Sequence, residues 1–298
     1  VAENPEFERG MFSSVQAGIR SLPASAGPIL VLPADIPLVK SRTVASLIKA
    51  HRGGGRAVAP SFLGKTGHPV LLPRELVSDL LAYGGDGGLR EFLRRSGGVA
   101  PLPVADQGVL LDMDHPEDYR ALLAYAERRK VPNRAECLAL LALMGTPEPV
   151  VRHTRAVAAV ALRIGRALAE EVSLDLPLLE AAALLHDLAK GRKRHETVAA
   201  RALHRWGYAP VASVVGAHTD LPRKASPEQR ILYLADKMVN GERLEGLEGR
   251  LVRMEARFAG NPEALKGARR RIGRARKIRT RLEVVLGRSL DEVIGPWP

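Results

Sequence analysis

Apolar and polar positions change rhythm near residue 131. Before it, short apolar runs alternate with helical stretches; after it, apolar residues recur every three or four positions, with brief Gly and Pro interruptions. The run GPILVLPADIPLV reads as a buried strand, Ile29 to Leu32, entering a loop that carries Asp35. A helix from Thr43 to His51 follows, then strands in RAVAP and HPVLLP, helices after Pro73 and Gly88, and strands at Val99 to Val104 and Val109 to Met113. HPEDYRALLAYAERRK reads as a helix opened by Pro116 with acids in its first turn. Such alternation predicts a parallel sheet flanked by helices.

From Asn133 onward the pattern predicts helices only: Arg134 to Leu143, Pro149 to Glu171, Pro177 to Lys190, His195 to Trp206, Pro210 to His218, Pro227 to Val239, and one or two more up to Leu286. The expected fold class is therefore α/β followed by all-α, with domains at 1–131 and 132–298. In the last helical stretch Leu265, Ala268, Ile272, Ala275, Ile278 or Arg279, Leu282 and Leu286 form one apolar stripe, which predicts docking on the bundle in preference to a free nucleic-acid or membrane surface.

Composition adds three exclusions. With 46 % hydrophobic and 26 % charged residues, the 298-residue chain is neither disordered nor collagenous. At 4 % aromatic residues it is poorly supplied with stacking platforms for single-stranded nucleic acid. No apolar run approaches a membrane span, no signal peptide opens the chain, and a lone Cys137 fits a reducing, cytoplasmic setting. The net charge of +12 is uneven: 16 basic and 14 acidic residues precede position 132, and 29 and 19 follow it. Residues 264–282 alone hold nine Lys or Arg and no acid. Nucleic acid is thus a partner to consider but not the favoured one.

Six residues of the second half carry candidate chemistry: His153, His186, Asp187, His195, His218 and Asp236. His153 lies in line with Val157, Ile164 and Leu168; His186 shares a face with Leu179 and Ala182; His218 follows Val211, Val214 and Val215; Asp236 goes with Leu232 and Val239. Four helices each turn an imidazole or carboxylate inward. A buried unpaired carboxylate is costly, and a divalent cation would compensate both Asp187 and Asp236. Mixed imidazole and carboxylate donors suit iron, manganese or zinc.

The segments RHTRAVAAVALRIGRAL, EAAALLHDLAKG, HETVAARAL, VVGAHTDLP and ILYLADKM, in this order, resemble the HD-domain metal-dependent phosphohydrolases, most closely the YqeK-like and HDIG-type branch. The resemblance implies a helical bundle in which His153, His186, Asp187 and Asp236 hold one ion, iron or manganese. It implies a second ion at His195 and His218, with Asp187 as the bridge and Lys190 as a phosphate contact. Divalent ions acidify a coordinated water and neutralise phosphate oxygens. The expected catalytic residues are Asp187 and Lys190, and the expected substrate is a nucleotide or phosphorylated cofactor, dinucleoside polyphosphates among the candidates. The run KGRKRH, residues 190–195, divides evenly between a solvated loop and further phosphate contacts.

In the first half NPEFERGMFSSVQAGI, VLPADIPLV, GKTGHPVLL, GDGGLREFL and VLLDMDHPEDY resemble the MobA/MocA-like nucleotidyltransferases of molybdenum cofactors. This implies an incomplete Rossmann-like sheet, with Asp35 and, in the second acidic motif, Asp112 and Asp114 binding nucleotide and magnesium; His115 replaces the usual Thr. The family's leading strand and glycine-rich loop are not in this sequence, so phosphate cradling and nucleotide transfer are expected to be lost and an apolar sheet edge left open to homo-oligomerisation. The strings RGGGRAV and YGGDGGLR lack the strand, loop and helix order of a phosphate cradle and read as turns. If this half defines the function, cofactor cytidylylation is the reaction and the helical half regulates it; a nucleic-acid scaffold with a structural metal is a third reading.

Overall fold

The computed structural model describes residues 1–51 and 55–297 and divides into two compact units, Val1–Glu127 and Arg128–Pro298. Of RGGGRAV, residues 52–54 lie outside the described residues. No helix among the described residues is long and apolar enough to cross a membrane.

The first unit contains α1 (Met11–Arg20), β1 (Ile29–Val31), α2 (Ser41–Ala50), β2 (Ala57–Phe62), β3 (Lys65–Thr66), β4 (Val70–Leu72), α3 (Val77–Ala82), α4 (Gly88–Arg95), β5 (Val99–Pro103) and α5 (Pro116–Glu127). Its sheet runs β1-β4-β2-β3 with β5 paired to β2, and it corrects the expectation of a parallel sheet: β2–β5 is the parallel pair, while β1–β4, β2–β4 and β2–β3 are antiparallel. The cause is connection length. Leu63 and Gly64, at φ 49° and 85°, close a tight hairpin between β2 and β3, whereas β5 follows two intervening helices that allow a crossover. Ile29, Ala57, Ala59, Val70 and Leu72 alternate along their strands onto one face, where they pack with Phe12, Ile19, Leu80 and Phe92 from α1, α3 and α4. Buried Gln16 ties α1 to the end of α3 by donating to the carbonyls of Leu80 at 2.9 Å and Tyr83 at 3.0 Å.

The strand expected at Val109 to Met113 is absent. Asp106, buried, instead caps a short 3-10 turn, Gln107–Leu110, accepting from Gly108 N at 3.2 Å, while its other oxygen accepts from Lys40 N at 2.8 Å and Thr43 Oγ1 at 2.5 Å at the start of α2. Val109 is therefore buried by a capped turn and not by strand pairing. YGGDGGLR is a turn into α4, with Gly85 and Gly87 at φ 99° and 72°.

The second unit contains α6 (Arg134–Leu143), α7 (Glu148–Leu168), α8 (Leu176–Leu185), α9 (His195–Arg205), α10 (Ala209–Gly216), α11 (Pro227–Met238), the ribbon β6 (Val239–Asn240) and β7 (Arg243–Leu244), α12 (Gly246–Arg257), α13 (Pro262–Leu286) and α14 (Leu290–Ile294). Local signals start the helices: a capping box joins Asn133 and Glu136 at α6, Asp175 caps α8, and Ser226 with Gln229 forms a second box at α11. α7 packs on α8 and α11, and α9 on α10. The stripe on α13 docks as expected, with Ala268, Ile272, Ala275 and Ile278 buried and each fully buried Ile contributing about 2 kcal/mol. Gly287 at φ 65° stops that helix.

Candidate metal centre

His153 lies in the second turn of α7, on the face that meets α8 and α11. The helix expected to run to Lys190 stops at Leu185: His186 is its C-terminal cap, and a series of tight turns follows to residue 194. Gly191 at φ 91° and Arg194 at φ 54° fold that segment back so that His195 begins α9 beside Asp187. The non-glycine left-handed residue costs on the order of 1 kcal/mol and is held in place by the packing on either side. His218 follows the end of α10, and Asp236 faces inward from α11.

All six side chains meet. The Nε2 of His153 is 3.6 Å from Asp236 Oδ1 and 4.0 Å from Asp187 Oδ2; that of His186 is 3.7 Å and 3.6 Å from the same two atoms. On the other side, His195 Nε2 is 3.2 Å and His218 Nε2 3.7 Å from Asp187 Oδ1. The donors thus form two sets, His153 with His186 and Asp236, and His195 with His218 and Asp187, and Asp187 presents one oxygen to each.

Three backbone carbonyls fix the ring orientations. Nδ1 of His153 donates to Gly241 O at 3.0 Å, that of His186 to Ala183 O at 2.8 Å, and that of His218 to Val215 O at 2.7 Å. A carbonyl only accepts, so in each neutral ring the proton sits on Nδ1 and Nε2 is left as an electron-pair donor facing the carboxylates. His186 Nε2 and Asp187 Oδ1 are buried without a hydrogen-bond partner. Two unpartnered electron-pair donors, an imidazole nitrogen and a carboxylate oxygen, beside the other four side chains are what a divalent cation satisfies, so these residues fit one.

Two cations steady the carboxylates. Lys190 Nζ is 2.8 Å from Asp187 Oδ2, and Lys237 Nζ is 2.8 Å from Asp236 Oδ2. Lys237 is buried, donates also to His218 O at 2.8 Å, and stands 3.9 Å from the centre of the Tyr233 ring. Burial alone would raise both carboxyl pKa values. For Asp187 the opposing charge of His186, with His195, His218 and Lys190, outweighs it; for Asp236, Lys237 with His153 and His186 does, and both lie below the usual range. His218 is pushed down by desolvation, whereas His186 is raised because Asp187 and Asp236 outweigh the same effect.

A cavity of about 230 Å³ opens over this cluster, and Lys237, Arg250 and Arg271 join Asp187, Lys190, His195, His218 and Asp236 in its lining. Sequence reading missed Lys237, Arg250 and Arg271, although Lys237 directly follows Asp236 on a face otherwise apolar. Arg250 donates to the carbonyls of Asp236 at 2.7 Å and Val239 at 3.2 Å, which locks the end of α11.

Residues 150–241, which include all six side chains, match the HD domain, and residues 1–100 match the MobA-like NTP transferase domain. The chain joins a MobA-like NTP transferase domain to an HD domain. The phosphoenolpyruvate guanylyltransferase of Rubrobacter xylanophilus is 33 % identical over 130 residues, 42 % of this chain, and the chain spans 62 % of that relative's length. HD domains bind divalent metals, in keeping with the donor sets above.

The acidic residues of the NTP transferase domain are arranged differently. Asp35 Oδ1 is buried without a hydrogen-bond partner, as is Nδ1 of His68, on which the Asp35 charge acts. Asp112 and Asp114 are exposed, and among the described residues Asp35, Asp112 and Asp114 do not form a third cluster able to hold an ion. Asp35 ends a mainly apolar hollow of about 630 Å³ between α1 and the outer edge of β1.

Proposed function

We propose that the HD domain is a metal-dependent phosphohydrolase acting on a nucleotide or a phosphorylated cofactor. What supports this most is the division of Asp187 between two donor sets, with three imidazoles oriented by backbone carbonyls toward it and Asp236. His153, His186, Asp187 and Asp236 would hold one ion and Asp187, His195 and His218 a second; donor type suits iron, manganese or zinc, and the HD-domain resemblance favours iron or manganese. Such ions supply Lewis-acid charge and an acidified water for attack at phosphorus.

The chain's own residues prepare the rest. Lys237 keeps Asp236 ionised and aimed inward. Lys190, half exposed on the cavity lining and 2.8 Å from Asp187 Oδ2, would be free to bind phosphate oxygen with Asp187 neutralised by an ion. Arg271, which lines the same cavity from α13, provides a second cationic contact. Purified protein supplied with manganese or iron is expected to release phosphate or a mononucleotide from a panel of nucleotides and phosphorylated cofactors; a panel without turnover under any metal would refute the proposal.

A second reading rests on the 130-residue match to a guanylyltransferase: nucleotidyl transfer by the first domain, onto phosphoenolpyruvate or a molybdenum cofactor, with Asp35 and the acids Asp112 and Asp114 as magnesium contacts. Pyrophosphate released from GTP or CTP in the presence of either acceptor, and lost in Asp35→Asn, would favour it.

A further inference from the structure

The nine cations of residues 264–282 are not equivalent. Arg269 pairs with Glu255 at 2.8 Å, Arg276 with Glu248, and Arg279 with Glu283 at 2.9 Å and Asp291 at 2.8 Å. Those contacts hold α13 against α12 and α14. Arg270, Arg274, Lys277 and Arg281 recur at helical spacing on another face, and there they line a groove of about 540 Å³ whose second wall carries Arg223 and Arg230. Of these six, Arg274 has an acidic partner, Asp220 at 3.3 Å; the other five have no ion pair among the described residues. Arg223, Arg230, Arg270, Lys277 and Arg281 are exposed.

Unneutralised like charges facing one another across a groove repel, and a polyanion relieves that repulsion. The length of the stripe indicates its size. Arg270 and Arg281 are eleven residues apart, about 16 Å of helix axis, the rise of roughly five stacked nucleotides at 3.4 Å each. That span exceeds what one nucleotide's phosphates cover. None of the described residues lining the groove is aromatic, so it offers phosphate contacts without base stacking. The groove and the metal cavity share both walls: Arg271 and Ile272 line the cavity and Arg270, Gly273 and Arg274 the groove, while the chain passes from His218 and Thr219 in one to Leu221 and Pro222 in the other.

We propose that this groove binds the phosphate backbone of a single nucleic-acid strand, independently of base sequence. The binding stands whether or not the strand is hydrolysed, so it does not depend on the function proposed above. Fluorescence anisotropy with a short labelled oligouridylate tests it on the full-length chain. Each phosphate contact adds about 0.7 to the slope of log K against log salt, so the triple variant R270Q/K277Q/R281Q should bind about 100-fold more weakly at ~0.1 M salt and lose about 2 from that slope. The variant R20Q/R90Q/R120Q removes the same charge from exposed positions of the first unit and should bind as the wild type does. Circular dichroism checks that both variants fold, and the salt slope of the unmodified protein gives a measurement free of any substitution. Absence of wild-type binding, a salt-independent affinity, equal weakening in both variants, or retention of inorganic polyphosphate with no retention of RNA would each overturn the proposal.

Discussion

The Nε2 atoms of His195 and His218 face each other at 3.3 Å, and Asp187 Oδ1 lies within 3.7 Å of both. His218 has its Nδ1 proton committed to Val215 O, so its Nε2 is an electron-pair donor, and His195 brings a second nitrogen to the same point. A shared cation satisfies both rings and the carboxylate. His195→Ala should therefore leave the protein with one ion fewer per chain than the wild type by plasma mass spectrometry, with the His153, His186 and Asp236 site still filled. Unchanged metal content in that variant would remove His195 from the centre.

Lys237 compensates Asp236 in a position where neither reaches solvent freely. Lys237→Met strands a buried carboxylate, and breaking such a pair costs about 3 to 5 kcal/mol. Urea unfolding of the metal-free variant should show that loss, and saturating manganese should recover most of it because the ion takes over the neutralising role. An equal loss with and without manganese would mean that Lys237 acts through packing alone.

Metal loading should expel a proton. His186 is raised above its ordinary pKa, so in the metal-free protein it keeps its proton to higher pH than a free imidazole, and an ion must displace it. The sign follows: loading weakens as pH falls through the histidine range. Calorimetric titration in two buffers of different ionisation enthalpy should give different apparent heats; identical heats would contradict this.

Cys137 is fully buried in α6 and its thiol pKa is raised by desolvation, with Glu136 and Glu180 acting in the same direction. A raised pKa means less thiolate at any given pH. Alkylation at mildly alkaline pH should be at least about 100-fold slower in the native protein than in urea. Fast native labelling would show that α6 opens readily.

Arg271 reaches the metal cavity from α13 while its backbone carbonyl accepts from Tyr233 Oη at 3.1 Å, so the helix stays anchored when the side chain is shortened. Arg271→Gln should weaken inhibition by inorganic phosphate about 10-fold with metal content unchanged. Unaltered phosphate inhibition would place the phosphate elsewhere in the cavity.

The helical half was largely legible because apolar residues recur at helical spacing throughout it, and His153, His186, His218 and Asp236 stand where hydrophobic side chains belong. The end of α8 was not: Leu188 and Ala189 continue the apolar pattern past Leu185 although the chain has already turned. Lys237 and Arg250 escaped notice because a charged residue reads as a surface residue until a partner such as Asp236 is seen beside it. In the first half, Val109 looked like a strand residue because burial in a turn capped by Asp106 leaves the same apolar mark as burial in a sheet. The antiparallel pairing of β2, β3 and β4 was written in the short hairpin at Leu63 and Gly64, whose left-handed backbone the apolar pattern does not reveal.

Asp187 is the residue on which both donor sets depend, so its removal tests the central claim most directly. Phosphate release from the most readily cleaved nucleotide, measured with manganese for the wild type and for Asp187→Ala, should be abolished in the variant together with its bound metal. A variant that hydrolyses at the wild-type rate would contradict the assignment of this cluster as the catalytic centre.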